Sequence, residues 1–506
     1  MESSRKDFQS ILPFLPLISR SSAIYWPPAV LEAFKFMSKG PIYSNVNSGQ
    51  TLSLAITDFR NSHGYPSLHP SAPLGFSLFF DDLMSKDEAR MWFGEVVPRL
   101  ADLLLKLPEL LENHYKKAEP VNGMETALRL LEPQQSGIVL LGQELVAALL
   151  VCSLFCLFPT TDRYAKHLPP INFDELFVSL YESYDVKQEH KIKCIIHYFE
   201  KICSSMPMGS VSFERKVLSN VFYPEAAFWS KSTKPLCQFE VSASGLIENH
   251  STEALEVDFA NKNIGGGALG RGCVQEEIRF MINPELIVSM LFLPSMADNE
   301  SIEIIGAERF SDYTGYAASF RFCGDYADKK GVDSLGRRKT RIIAIDALSR
   351  PGKKQYRLDY LVRETNKAFC GFLNQDKCQQ NQTLFGVNGL LRDDQNNEDE
   401  IGIATGNWGC GAFGGDPEVK AVIQWLAASE ARRPFILYYT FGLEQLEKLQ
   451  LIVQWIVSQK WTVGELWNIL VEYSTQRLKG KTKHGLFNWL LPSIYNDFEP
   501  MMLDTT

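Results

Sequence analysis

Residues 257–280, VDFANKNIGGGALGRGCVQEEIRF, change character twice. They begin inside LEVDFA (255–260), an apolar run that reads as a strand. Three consecutive glycines, Gly265, Gly266 and Gly267, then open a turn-rich loop. Seven residues further on, Gln275, Glu276 and Glu277 start QEEIRFMINPELIVSMLF. Its spacing predicts one helix interrupted by Pro284, or two helices. Strand, glycine loop and helix in succession form the repeating unit of an α/β layered domain.

The same alternation continues outward. FEVSASG (239–245), SIEIIGA (301–307), TRIIAIDAL (340–348), EIGIATG (400–406) and PFILYYTFG (434–442) read as further strands. QYRLDYLVRETNKAFCGFL and PEVKAVIQWLAASEA read as helices between them, and WTVGELWNILVEYS as a helical tail. The first 200 residues read differently, as mostly helical. EARMWFGEVVPRLADLLLKLPELLENH has helical spacing broken by Pro98 and Pro108, and FDELFVSLYESY and KIKCIIHYFEKICSSM are amphipathic. We therefore expect an all-α accessory domain over 1–205 and an α/β domain with C-terminal helices over 206–506. The Asn-, Gln- and Asp-rich stretch 374–399 is expected to be a mobile surface loop.

Composition narrows the class. A chain of 506 residues is too long for one ordinary core. Its 45% hydrophobic and 22% charged residues are those of a globular protein. A net charge of −9 implies no general affinity for nucleic acid or anionic membrane. The basic run Arg337, Arg338, Lys339 and Arg341 reads as a solvated face. LVAALLVCSLFCLF (145–158) is too short to span a bilayer and is expected to be a buried core helix. The ten cysteines contain no C-x-x-C pair, which favours a reducing compartment. The eight histidines show no metal-ligand spacing, so neither metal nor cofactor is expected.

A second glycine-rich loop, TGNWGCGAFGGDPE (405–418), follows the strand EIGIA, with Asp416 placed to cap a helix and Pro417 at its first turn. Such loops present backbone N–H groups beside a helix N-terminus, where phosphate binds well. Glycines can also serve only to make tight turns, but two matched loops point to a diphosphate clamp. Neither loop carries the P-loop or dinucleotide spacing, which argues against ATP hydrolysis and dinucleotide redox chemistry.

Glu276 and Glu277 open the helix after the first loop. Consecutive helical residues point about 100° apart. They therefore cannot flank one bond from opposite faces as the usual glycosidase pair does. If they act together, one performs proton chemistry and the other orients sugar hydroxyls. Asp258 and Asn261 could add polar contacts from the strand end. On spacing alone, an acidic pair complementing the helix dipole is the simpler reading.

The longer wording decides between these. VDFANKNIGGGALGRGCVQEEIRFMINPELIVSMLF closely resembles the signature of poly(ADP-ribose) glycohydrolases: three glycines, a short spacer, then Gln-Glu-Glu. YTGYAASFRF, IIAIDAL, NKAFCGFL, ATGNWGCGAFGGD and YYTFG resemble that family in its order, as do LGQELVAALLVCSLFCLFP and LPPINFDELF in the helical half. The resemblance runs from about residue 75 to 475 and is nearest the shorter plant-type members, which lack the long disordered N-terminal region of the animal enzymes. It implies an α/β macrodomain, a mixed sheet between helices, with a helical accessory domain. It also implies hydrolysis of the ribose–ribose bonds of poly(ADP-ribose), releasing ADP-ribose.

Carried over by motif, Glu277 is the proton donor to the departing ribose oxygen and then activates water. Glu276 binds and orients the ribose hydroxyls, and Asp258 supports the site. Asn261 and Gln275 contact substrate near the scissile bond. Gly265, Gly266 and Gly267, with the loop Asn407, Trp408, Gly409, Cys410, Gly411, Ala412 and Phe413, hold the diphosphate. Tyr316 closes over the substrate, Ile247 and Glu248 meet the adenine, and Phe441 stacks near it. Read alone, Trp408 is a wall of its loop and Cys410 a packing residue. A carboxyl that donates a proton near neutral pH must hold it there; burial and a neighbouring carboxylate favour that, and a helix N-terminus opposes it. The implied partner is poly(ADP-ribose) on modified proteins. A monomer in the nucleus or cytoplasm is expected. A reader that binds ADP-ribose without cleaving it is the alternative, though binding a diphosphate requires neither glutamate.

Overall fold

The computed structural model describes residues 2–490 apart from 21–22, 122, 220, 222, 251–252 and 375–400. The polar stretch 374–399 therefore lies, but for Asn374, outside the described residues. Among the described residues the strands are β1 (Ile18–Arg20), β2 (Ala23–Tyr25), β3 (Gly137–Gly142), β4 (Ser210–Val217), β5 (Gln238–Ser242), β6 (Ala254–Asp258), β7 (Glu300–Ile305), β8 (Ser311–Thr314), β9 (Arg321–Asp325), β10 (Arg341–Ala344), β11 (Gly402–Gly406) and β12 (Phe435–Tyr439). The chain's contacts divide it into two units that interleave along the sequence. The first comprises Met1–Arg215, Ala260–Ser295 and Ile304–Thr340; the second comprises Lys216–Phe259, Met296–Glu303 and Arg341–Thr506.

In the first unit, α1 (Val97–Lys117) runs unbroken through both prolines. Pro98 sits in its opening turn, where an amide would lack a partner in any case, and Pro108 is accommodated inside. The helix α2 (Gln143–Leu154) is buried on every side except at Glu144. All of 145–158 is buried, as expected of a core segment, and among the described residues no helix is long and apolar enough to cross a membrane. β3 escaped the sequence reading because GIVLLG runs into this apolar helix without a turn signal between them. It pairs antiparallel with β4, Gly137 opposite Arg215 and Gly142 opposite Ser210. Aromatic rings fill the helical core: Phe177 stacks on Phe76 at 3.9 Å, and Phe80 stacks on Trp92 at 5.5 Å. The helix α3 (Val186–Ser204) starts at Asp185, whose carboxylate accepts from the Lys187 N–H. QEEIRFMINPELIVSMLF resolves into α4 (Gln275–Ile282), a 3-10 turn over Pro284–Val288 and a short helix over Ser289–Phe292. Pro284 breaks it because it cannot donate and clashes one turn back.

The second unit is a sheet in the order β7-β10-β6-β11-β12-β5. The pairs β10–β6, β6–β11, β11–β12 and β12–β5 are parallel. β6 and β11 are buried at all five positions, as central parallel strands covered on both faces are. Among the helices of this unit are α5 (Leu358–Phe372), α6 (Pro417–Glu430) and α7 (Val463–Leu478). Every residue of α6 is buried, and its Trp425 indole donates to the Cys237 carbonyl at 2.8 Å. Ala404 lies opposite Glu256, so Asp258 and Gly406 end at the same edge of the sheet. In open parallel sheets that carboxyl edge is where ligands bind.

Candidate active site

The loop before α4 is organised around its two glutamates. Glu276 Oε1 accepts from the Gly265 N–H at 2.7 Å and Oε2 from the Asn261 N–H at 2.8 Å. Glu277 Oε1 accepts from the Gly267 N–H and Oε2 from the Val274 N–H, both at 2.9 Å. Each of the four carboxylate oxygens thus has a backbone donor. Both glutamates are buried in the first turn of α4. The helical separation of their Cα atoms does not carry to the carboxylates, because both side chains fold back over the loop. A Cβ on Gly266 would lie 2.5 Å from Glu276 Oε2 and 2.8 Å from Glu277 Oε1. Gly266 also has a φ of +49°, and Gly265 one of +86°. The wrapping of carboxylates is therefore what requires glycine here.

This changes the reading of the triplet. The amides that the resemblance assigned to a diphosphate are engaged inside the protein: Gly265 and Gly267 by the glutamates, and Gly266 by the Asn263 carbonyl at 3.0 Å. The α4 carboxyl groups are already tethered nearby, so they meet these donors first. The Asn261 side chain accepts from the Asn263 N–H at 3.0 Å, a local turn within the loop. Gln275 is the first residue of α4 and is half-buried.

Tyr316 sits in the turn between β8 and β9, 55% exposed. Its hydroxyl is raised by burial and by Glu277, and hydrogen bonding to the Gln275 backbone opposes this. It therefore stands over the start of α4. Lys191, on α3, was invisible to the sequence reading. It is buried, and its ammonium reaches the Gly270 and Gly272 carbonyls at 2.6 Å each.

The second glycine loop belongs to the other unit. Asp416 caps α6 as the sequence predicts, its carboxylate accepting from the Glu418 and Val419 N–H groups. Turn bonds run from Trp408 N–H to the Gly406 carbonyl, Cys410 to Asn407, Gly414 to Gly411 and Gly415 to Gly409, at 2.8–3.0 Å. The N–H groups of Gly411, Ala412 and Phe413 donate to no described residue, and Gly411 and Ala412 are exposed. The larger side chains turn inward instead. Trp408 is fully buried, donates from its indole to the Ile345 carbonyl at 2.9 Å and lies under the Lys420 ammonium, 3.8 Å from the ring centre. Lys420 in turn pairs with Glu364. The Asn407 amide donates to the Thr440 carbonyl at 3.0 Å and accepts from the Tyr438 hydroxyl at 3.1 Å. Burial pushes the Cys410 thiol well above its usual range, which suits a packing residue.

Close to this loop, Gly406 leaves room for Phe441; a Cβ there would come within 2.9 Å of that ring. Phe441 is 45% exposed at a φ of +53°. Ile247 is buried in a small apolar cluster with Ala254, Ala404 and Tyr439, with Phe259 and Leu437 against it. Glu248 is buried and helps burial raise the Tyr439 hydroxyl. Asp258 is buried at the end of β6, where its carbonyl accepts from the Ile345 N–H at 3.3 Å.

Comparison with known proteins identifies the family. The family model described as poly(ADP-ribose) glycohydrolase, macro domain fold, matches residues 226–448, and the one described as its helical domain matches 84–215. The chain is 54% identical to poly(ADP-ribose) glycohydrolase 1 of Arabidopsis thaliana, covering 97% of this chain and 98% of that protein. It is 50% identical to the probable poly(ADP-ribose) glycohydrolase 2 of the same plant, covering 97% and 99%. Poly(ADP-ribose) glycohydrolase 1 of Caenorhabditis elegans is 34% identical over 55% of this chain and 35% of that protein. A macrodomain, a helical domain and near-complete coverage of two plant relatives agree: the chain belongs to the poly(ADP-ribose) glycohydrolase family, in its plant-type form.

Proposed function

We propose that this protein hydrolyses the ribose–ribose O-glycosidic bonds of poly(ADP-ribose) and releases ADP-ribose. The observation that carries the reading is the presentation of Glu276 and Glu277 on four backbone N–H groups. Glu277 donates a proton to the departing ribose oxygen and then takes one from the attacking water. Glu276 orients the ribose hydroxyls, and the anionic oxygens stabilise the oxocarbenium-like transition state. Four fixed donors hold both carboxylates in one geometry before substrate arrives, which is the economical way to lower a barrier. The diphosphate falls to the second loop, whose Gly411, Ala412 and Phe413 amides donate to no described residue. Ile247 and Phe441 would flank the adenine, and Tyr316 would cover the ribose.

Incubation with automodified, polymer-bearing protein tests this. Free ADP-ribose with a residual protein-linked unit is expected. Intact polymer would identify a reader, and complete stripping of the protein a hydrolase of the protein-linked unit. Glu277→Gln is expected to lower turnover by about 10³-fold, the middle of the range for a general acid–base. Undiminished cleavage by that variant would overturn the assignment.

A further inference from the structure

Lys191 is a charged side chain with no exposed surface, and among the described residues no carboxylate pairs with it. Its ammonium donates to the Gly270 and Gly272 carbonyls at 2.6 Å each, and Gln188, earlier on α3, donates its side-chain amide to the Gly270 carbonyl at 3.1 Å. These carbonyls belong to a closed turn, in which the Gly270 and Gly272 N–H groups both return to the Gly267 carbonyl at 2.9 and 3.1 Å. Glu277 lies against the same turn. The Gly267 N–H donates to its Oε1, and a Cβ on Gly272 would stand 2.7 Å from Oε1 and 2.8 Å from Cδ. One tight turn is therefore held by a cation through its carbonyls and meets Glu277 through an amide and a bare Cα.

Burying an ammonium is costly unless it is fully hydrogen-bonded, and an apolar side chain often serves stability as well. A lysine here is better explained by what it holds. We propose that Lys191 is a positioning residue for hydrolysis: by gripping the Gly270 and Gly272 carbonyls it fixes the turn that sets the Glu277 carboxylate. The proposal rests on the reading that Glu277 carries the proton chemistry. It makes the helical region, through α3, part of the catalytic machinery as well as a support for it.

A pH dependence follows. Burial holds the Lys191 ammonium down to about 8, with Cys273 and Glu277 opposing that shift and Lys187 adding to it. Cys194, from the same helix, also opposes it. Across the turn, burial pushes the Cys273 thiol up to about 11 and raises the Tyr316 hydroxyl, so neither titrates at the same pH. Below about 8 the amine is charged and its bonds to the carbonyls are roughly twice as strong as neutral ones. As pH rises through that value the grip weakens and turnover falls.

The test uses Lys191→Met in the full chain, with fold checked by circular dichroism and thermal unfolding. We expect kcat on polymer to fall about 30- to 100-fold, the effect of misplacing a catalytic group by a fraction of an ångström to one ångström. KM and the affinity for ADP-ribose should stay within about threefold, since uniform binding is untouched. The alkaline loss of activity expected of the parent should vanish from the variant, and Lys191→Gln, which keeps uncharged N–H donors, should fall between the two. A folded Lys191→Met protein with kcat within about threefold of the parent overturns the proposal. If that variant does not fold, the parent's profile decides, and a flat rate from pH 7 to about 9.5 overturns it equally. Glu277→Gln run alongside separates the two layers. Activity in it removes the reading of Glu277, whereas an inert Glu277→Gln beside a fully active Lys191→Met removes only the role of Lys191.

Discussion

The two glycine-rich loops look alike in sequence and work in opposite ways. In the first, the glycine amides turn inward to the protein's own carboxylates, and the chain closes around Glu276 and Glu277. In the second, the side chains of Asn407 and Trp408 turn inward as anchors, and the amides of Gly411, Ala412 and Phe413 donate to no described residue. Glycine serves close packing in one and donor exposure in the other. Glycine content alone therefore does not mark an anion site; the destination of each N–H does.

Alanine substitutions should separate the loops. The largest effect is expected for Gly272→Ala, whose methyl group would stand within 3 Å of Glu277 Oε1, Cδ and Cγ. Turnover should fall about 10²- to 10³-fold with ADP-ribose affinity retained, as steady-state kinetics beside calorimetric titration would show. Loss of affinity in step with kcat would break the distinction. Gly409→Ala comes next. Its φ is +73°, and a Cβ would meet Ala347 at 2.5 Å and the Lys420 ammonium at 3.3 Å. Here affinity for ADP-ribose should drop about tenfold, raising KM more than it lowers kcat. The smallest effect is expected for Gly411→Ala, where nothing lies within 4 Å and φ is not in the left-handed region. Binding should change by less than about twofold, and a larger loss would mean that a ligand approaches this Cα closely.

Much of the second unit was legible because its signals are local. FEVSASG and LEVDFA overlap β5 and β6 to within one residue at the start, EIGIATG contains β11, and Asp416 caps α6 where its spacing before Pro417 said it would. The adjacent glutamates and the triplet were equally legible as a pair of features. Their mutual engagement was not, because a backbone N–H carries no mark in sequence of the acceptor it will find. Spacing along an ideal helix did not show that both carboxylates fold back over Gly266. Lys191 was hidden for a further reason. On an amphipathic helix a lysine reads as a solvated residue, and only the approach of Gly270 and Gly272, some eighty residues later, turns it into a buried one.

The threading of four amides onto two carboxylates also bears on how such a chain can drift. Active-site acids commonly sit in strained surroundings, so that losing one makes a protein sturdier while it becomes inert. Glu276 and Glu277 hold their own loop together, and the first turn of α4 with it. A lineage that discarded the acids would also discard the order of the loop. Inactive descendants that keep this fold should therefore carry a rebuilt loop, not merely a silent substitution.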